Sequence, residues 1–96
     1  MNNLRFEWDE NKNLANQRKH KVSFDEAKTV FYDENARLIS DPDHSENEER
    51  FIIMGLSGSL RMLVVVHCYR ANDEVIRIIS ARKATRTEQK YHNRRI

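Results

Sequence analysis

The sequence predicts an α+β single domain over residues 1–96, with an antiparallel sheet of about four strands, two N-terminal helices packed on it and a polar C-terminal helix. Three observations predict it. The chain has 96 residues, enough for one hydrophobic core. A helix signature with capping residues occupies the first third. After it come segments rich in Ile, Val and Leu, joined by connections too short for the crossovers that parallel strands require.

The elements follow in order. Arg5 to Trp8 alternates, with Phe6 and Trp8 on one side, and Asp9 offers an N-cap for a polar helix running to about Lys19. Only Leu14 and Ala15 are clearly apolar in that helix, so its apolar face is weak. Ser23 with Glu26 three positions on forms a capping box, and Phe24, Ala27, Val30 and Phe31 recur at helical spacing, which marks a second helix with a face for the sheet. From Ala36 to Ser40 the period becomes that of a strand, ended by the turn signal Asp41, Pro42 and Asp43. Arg50–Leu56, Leu60–Tyr69 and Val75–Ala81 are the remaining strands, joined as hairpins through Ser57-Gly58-Ser59 and Arg70–Glu74. Thr85 with Glu88 makes a second capping box, before a helix with almost no apolar residue beyond Tyr91.

Composition narrows the function classes. Charged residues are 33% and hydrophobic residues 39%, and the mean hydropathy is −0.84, the profile of a charged-surfaced globule rather than a disordered chain. The longest apolar run, Met62 to Val66, is five residues, against roughly 20 for a membrane span. Met1 to Asp9 has no apolar signal-peptide core, so a cytoplasmic location is expected. Cys68 is the lone cysteine, which excludes an internal disulfide and a Cys-rich zinc site. The net charge of +2 is unevenly placed. Residues 77–96 hold seven basic groups against one acid, for +6, which leaves −4 on residues 1–76. Such a basic end suits phosphates or an acidic protein.

A three-residue Ser57–Ser59 loop sets Phe51 opposite Val65 and Glu49 opposite His67. The following hairpin sets Tyr69 opposite Val75 and His67 opposite Arg77, so that Glu49, His67, Tyr69 and Arg77 share one sheet face. A carboxylate, an imidazole, a phenol and a guanidinium together suit phosphodiester cleavage in RNA without a metal or other cofactor. Glu49 or His67 would serve as base, His67 or Tyr69 as acid, and Arg77 as phosphate clamp. The plainer reading makes His67 and Tyr69 the end of a strand, and Glu49 with Arg77 a cross-strand pair. His20, after Lys19 near a helix C-terminus, reads as a capping cation or as a further catalytic candidate. Asp41, Asp43, His44, Glu46, Glu48 and Glu49 lack the spacing of a known metal signature and read as an acidic loop. His92 reads as a surface residue and Cys68 as buried. Arg82, Lys83, Arg86 and Lys90 form a basic group, with Arg86 and Lys90 four apart on one helical face.

Nearly the whole chain resembles the BrnT toxin family. The matching stretches are Phe6-Glu7-Trp8-Asp9-Glu10-Asn11-Lys12, then Arg18-Lys19-His20-Lys21-Val22-Ser23-Phe24, then Asp41-Pro42-Asp43-His44-Ser45 and Glu48-Glu49-Arg50-Phe51. The most specific is Ile76-Arg77-Ile78-Ile79-Ser80-Ala81-Arg82-Lys83-Ala84-Thr85, with Glu88 and Tyr91 after it. The family commonly has glycine where this chain has Lys21. The resemblance implies a RelE-like fold and a metal-independent endoribonuclease toxin of a type II toxin–antitoxin pair, which cleaves RNA and arrests translation and growth. It implies a DNA-binding BrnA-type antitoxin as partner in a 2:2 complex that reaches operator DNA through the antitoxin. It also marks Lys19, His20, Glu49, Arg50, His67, Tyr69, Arg77, Ser80 and Arg82 as positions to test. Lys19, Arg50, Arg82, Lys83 and Arg86 are the residues expected to guide RNA. The competing expectation is a nuclease-inactive module that binds an antitoxin or nucleic acid.

Overall fold

A computed structural model describes residues 4–42 and 49–93. The elements are β1 (Arg5–Glu7), α1 (Glu10–His20), α2 (Phe24–Thr29), a 3-10 turn at Val30–Tyr32, β2 (Arg37–Ser40), β3 (Phe51–Leu56), β4 (Met62–Arg70), β5 (Val75–Lys83) and α3 (Arg86–Asn93). They form one α+β unit around a five-stranded sheet in the order β1-β5-β4-β3-β2.

The sheet is mixed, which corrects the expectation of about four antiparallel strands. β2, β3, β4 and β5 pair antiparallel, as the short connections require. The alternating segment at the N-terminus adds a fifth strand, β1, parallel to β5, with Phe6 opposite Ile76 and Glu7 opposite Arg77. The long stretch between β1 and β5 in sequence supplies the crossover that a parallel pair needs.

Both hairpin registers differ from expectation. The β3–β4 loop runs from Ser57 to Arg61, closed by Leu60 N–H donating to the Ser57 carbonyl at 2.9 Å and Ser57 N–H to the Arg61 carbonyl at 2.8 Å. Leu60 takes a left-handed φ of 64°. Phe51 therefore pairs with His67 rather than Val65, a shift of two residues that leaves every side chain on its expected face. In the β4–β5 turn Ala71, Asn72 and Asp73 are all left-handed, and Tyr69 pairs with Ile76 and Cys68 with Arg77. This shift is of one residue, and it carries Arg77 to the face opposite His67. A bulge then falls between the pairs Val66–Ser80 and His67–Ile78, leaving Ile79 as the extra residue.

α1 and α2 cover one face of the sheet, and α3 lies over the other. Val22, Phe24, Ala27 and Val30 pack on Ile53, Leu63, Val65, Ile78 and Ala81, with Phe6, Trp8, Phe31 and Ala36 at the margin. α2 fits its pattern. Ser23 Oγ accepts from Glu26 N–H at 3.0 Å, but the Glu26 carboxylate turns away from Ser23 to accept from Arg61 Nε at 2.9 Å and Ser57 Oγ at 2.7 Å. That bonding to Arg61 holds Glu26 below the ordinary carboxylate range and fastens the β3–β4 loop to the helix.

α1 packs by a different means. Asp9 caps it, accepting from Asn11 N–H at 2.8 Å. Leu14 is 45% exposed, whereas Asn13 and Asn16 are buried. Asn13 Oδ1 accepts from Phe24 N–H at 2.9 Å. Asn16 donates to the Val22 and Ala81 carbonyls, each at 2.8 Å, and accepts from Ala81 N–H at 3.1 Å. Since β1 pairs with β5 only at Val75–Arg77, the outer edge of β5 at Ala81 would otherwise bury unpaired backbone, and Asn16 takes the place of a neighbouring strand. The helix ends on Lys21 in the left-handed conformation, φ 61°, donating its N–H to the Gln17 carbonyl.

Candidate functional site

The predicted four-residue constellation divides between the two sheet faces. His67 lies on the helix-covered side and is fully buried. Its ring meets Phe31 edge-on at 4.8 Å between centroids, with Tyr69 at 5.4 Å and Phe51 at 6.2 Å. Nδ1 contacts the Val65 carbonyl and Nε2 the Tyr69 hydroxyl, both at 3.3 Å. A carbonyl only accepts, so Nδ1 carries the proton and Nε2 accepts from Tyr69. Burial pulls the imidazole down to about 4, against the pull of the Val65 carbonyl in the other direction. Burial, with Asp73 second, also pushes the Tyr69 phenol up. The outcome is a neutral histidine in an aromatic box. Glu49 is exposed and Arg50 half-buried, immediately before β3. Asp41 is buried, its N–H donating to the Arg50 carbonyl at 2.9 Å, and Asp43, His44, Glu46 and Glu48 lie outside the described residues. Among the described residues no group of three or more His, Cys, Asp or Glu could hold a metal ion.

Arg77 belongs to the other face, with Cys68 beside it on β4. Alternation along β5 would turn Ser80 and Arg82 away from Arg77. The bulge at Ile79 reverses this: Ser80 pairs with Val66 and Arg82 with Val64, on the same side as the Cys68–Arg77 pair. One extra residue thus places two guanidinium groups and a hydroxyl along one face.

Each guanidinium has a carboxylate. Arg77 Nη1 donates to Glu7 Oε2 at 2.9 Å, with the side chains 32% and 43% exposed. Arg82 donates through Nη1 and Nη2 to the two oxygens of Glu88, both at 2.9 Å. The fork raises Arg82 and, with Thr85, draws Glu88 down to about 2. The predicted second capping box is present: Glu88 accepts from Thr85 N–H at 2.8 Å and Thr85 Oγ1 from Glu88 N–H at 3.1 Å. Glu7 was missed as a site candidate because a parallel partner far along the chain cannot be read from hairpin loops, although Glu7 stands inside a family-like stretch.

The other candidates lie around these groups. Lys83 and Arg86 are exposed at the end of β5 and the start of α3, with Lys83 paired to Leu63. Lys19 and His20 occupy the last turn of α1, exposed and half-exposed, on the helix that Asn16 joins to the edge of β5. His92 is buried rather than superficial; its Nε2 donates to the Asn35 carbonyl at 3.0 Å and pins α3 beside β2. Between α3 and the sheet lies a groove of about 470 Å³, lined by Arg37, Ile39, Ile52, Met54, Val64, Arg82, Thr87, Glu88 and Tyr91. Among the described residues no helix is long and apolar enough to cross a membrane.

Comparison with known proteins agrees with this architecture. No curated protein matches the chain. The crystal structure of the Brucella abortus ribonuclease toxin BrnT superposes with a TM-score of 0.65 at 22% identity, over 88% of this chain and 100% of that one. This likeness establishes a shared fold. The family model for the ribonuclease toxin BrnT of type II toxin–antitoxin systems matches residues 8–88, from Trp8 to Glu88. That span takes in both core helices, four of the five strands and the carboxylate that grips Arg82, and so the chain belongs to the BrnT family of ribonuclease toxins.

Proposed function

We propose that this chain is an endoribonuclease toxin that cleaves RNA without a metal, on the face carrying Glu7, Arg77, Ser80 and Arg82, and thereby restrains translation and growth in the cytoplasm. The carrying observation is the bulge at Ile79, which sets Arg77, Ser80 and Arg82 on one face outside the helix-covered core. Cleavage needs the 2′-hydroxyl to lose a proton as its oxygen attacks the adjacent phosphorus, while the bond to the 5′-oxygen breaks and that oxygen takes a proton from water, which leaves a 2′,3′-cyclic phosphate and a 5′-hydroxyl. Glu7 is the carboxylate placed to take that proton. Arg77, oriented by Glu7, and Arg82, oriented by Glu88, meet the charge that builds on the phosphorane oxygens. Lys83 at the end of β5 and Arg86 at the start of α3 extend the positive field beyond Arg82, with Lys19 on α1 and Arg50 ahead of β3 as further cations. His67, enclosed by Phe31, Phe51 and Tyr69, serves the fold in this reading; Glu49, Tyr69 and His20 stand outside the central group. A BrnA-type, DNA-binding antitoxin is the proposed partner, in a 2:2 complex that reaches operator DNA through the antitoxin.

The test is a gel assay of the purified chain on a defined RNA in EDTA. Wild type should cleave. Arg77→Ala, with an unchanged circular dichroism spectrum, should lose about 10²–10³-fold in rate. Wild-type rates in that variant would remove Arg77 from the chemistry, and a folded wild-type chain that leaves RNA intact would remove the activity.

A further inference from the structure

We infer that the groove between α3 and the sheet is a nucleobase-binding subsite, in which the base next to the cleaved phosphate stacks on Tyr91. The inference rests on the proposed ribonuclease reading and adds to it a source of sequence preference.

The groove is continuous with the phosphate-binding face, because Arg82 and Glu88 line both. Its floor is apolar: Ile39 on β2, Ile52 and Met54 on β3, and Val64 on β4. Phosphates gain nothing from such a floor, whereas the flat face of a base does. The wall is Tyr91, 58% exposed, with the Arg37 guanidinium 5.7 Å from its ring centroid. An exposed tyrosine beside a guanidinium is the pair of planar groups on which unstacked RNA bases settle. At the rim, Thr87 and the Glu88 carboxylate offer acceptors to base N–H groups. The volume, about 470 Å³, falls within the range of roughly 300–1,000 Å³ for small-molecule sites and suits a planar heterocycle.

The slot is held in shape at both ends of α3. At its start, Arg82 and Thr85 bind Glu88. Near its end, the buried His92 binds the Asn35 carbonyl just ahead of β2. Tyr91 is therefore carried on a helix tied to the same sheet as the floor. A purely helical role for α3 leaves an exposed tyrosine over an apolar floor unexplained; a base between them uses both.

The experiment is a titration of the ¹⁵N-labelled chain with nucleoside 5′-monophosphates, with inorganic phosphate as a separate arm. Nucleotides should shift the amide signals of Ile39, Met54, Thr87 and Tyr91, phosphate alone should leave these unmoved, and Tyr91→Ala should abolish the nucleotide response. In RNA cleavage, Tyr91→Ala should raise KM about 5- to 100-fold, with a smaller effect on kcat, and blur the choice of cleavage position; Tyr91→Phe, which keeps the ring, should restore both. Nucleotides that leave the groove signals in place, or a Tyr91→Ala variant with unchanged KM and cleavage positions, would overturn the subsite while leaving Arg77-dependent cleavage standing. Groove shifts caused instead by an acidic peptide, with none from nucleotides, would reassign it to a protein partner. A wild-type chain that binds nucleotides there but cuts no RNA would refute the nuclease reading and keep the subsite.

Discussion

The side-chain amide of Asn16 and the backbone of Ala81 exchange two hydrogen bonds, Nδ2 to the carbonyl at 2.8 Å and Ala81 N–H to Oδ1 at 3.1 Å. A helix with almost no apolar face is thereby joined to a sheet. Asn16→Ala leaves the Ala81 N–H and the Val22 and Ala81 carbonyls without that partner in a buried place, where each unsatisfied group costs about 1–3 kcal/mol. The expected loss is about 3 kcal/mol, read from urea unfolding; a loss below about 1 kcal/mol would show that α1 docks by other means.

Lys21 takes the left-handed conformation at the end of α1, the backbone region that favours glycine. A side chain there costs roughly 1 kcal/mol relative to glycine. Lys21→Gly should stabilise the chain by about 0.5–1 kcal/mol and raise its Tm, with its carbonyl still accepting from Arg61 Nη2. An unchanged or lower Tm would contradict this.

His67 should make stability depend on pH above the range of the carboxylates. Its imidazole is held at about 4, below the ordinary 6.5. Between these values the unfolded chain binds a proton that the native chain does not. The contribution is thus complete above 6.5 and declines as pH falls toward 4, by about 3 kcal/mol in all. Unfolding free energies between pH 7 and 5 should fall in wild type and stay nearly level in His67→Gln.

The Glu88 carboxylate, drawn down to about 2 by Arg82 and Thr85, acts lower on the scale. Its support is complete above about 4.5 and is lost as pH falls toward 2. With Arg82 42% and Glu88 33% exposed, solvent limits the effect to about 1 kcal/mol. Hydrogen exchange in α3 should accelerate at low pH, and Glu88→Gln should show that faster exchange at neutral pH with the sheet still protected.

Where pattern and period decide, the sequence was legible: Ser23 capped α2, the short loops made hairpins, and Thr85 with Glu88 opened α3. It was least legible where polar groups did the packing. Leu14 and Ala15 were the visible apolar pair of α1, and both face outward while Asn13 and Asn16 face in. The parallel β1–β5 pair had no local signal. Both registers missed for a common reason: Leu60 in one loop, and Ala71, Asn72 and Asp73 in the other, adopt left-handed conformations that non-glycine residues seldom announce. The two-residue error was harmless to the site, and the one-residue error separated Arg77 from His67.

The bulge at Ile79 makes the arrangement of this face depend on register rather than on residue count. Deleting Ile79 would leave Arg77, Ser80 and Arg82 at alternate positions of a regular strand, still opposite Cys68, Val66 and Val64, so the face would survive loss of the step. Drawing Ile79 into the ladder at unchanged length would instead send Ser80 and Arg82 to the side of α1 and α2 while Arg77 kept its place. What holds the extra residue out of the ladder therefore decides whether these groups meet, with every charged group of the face still encoded.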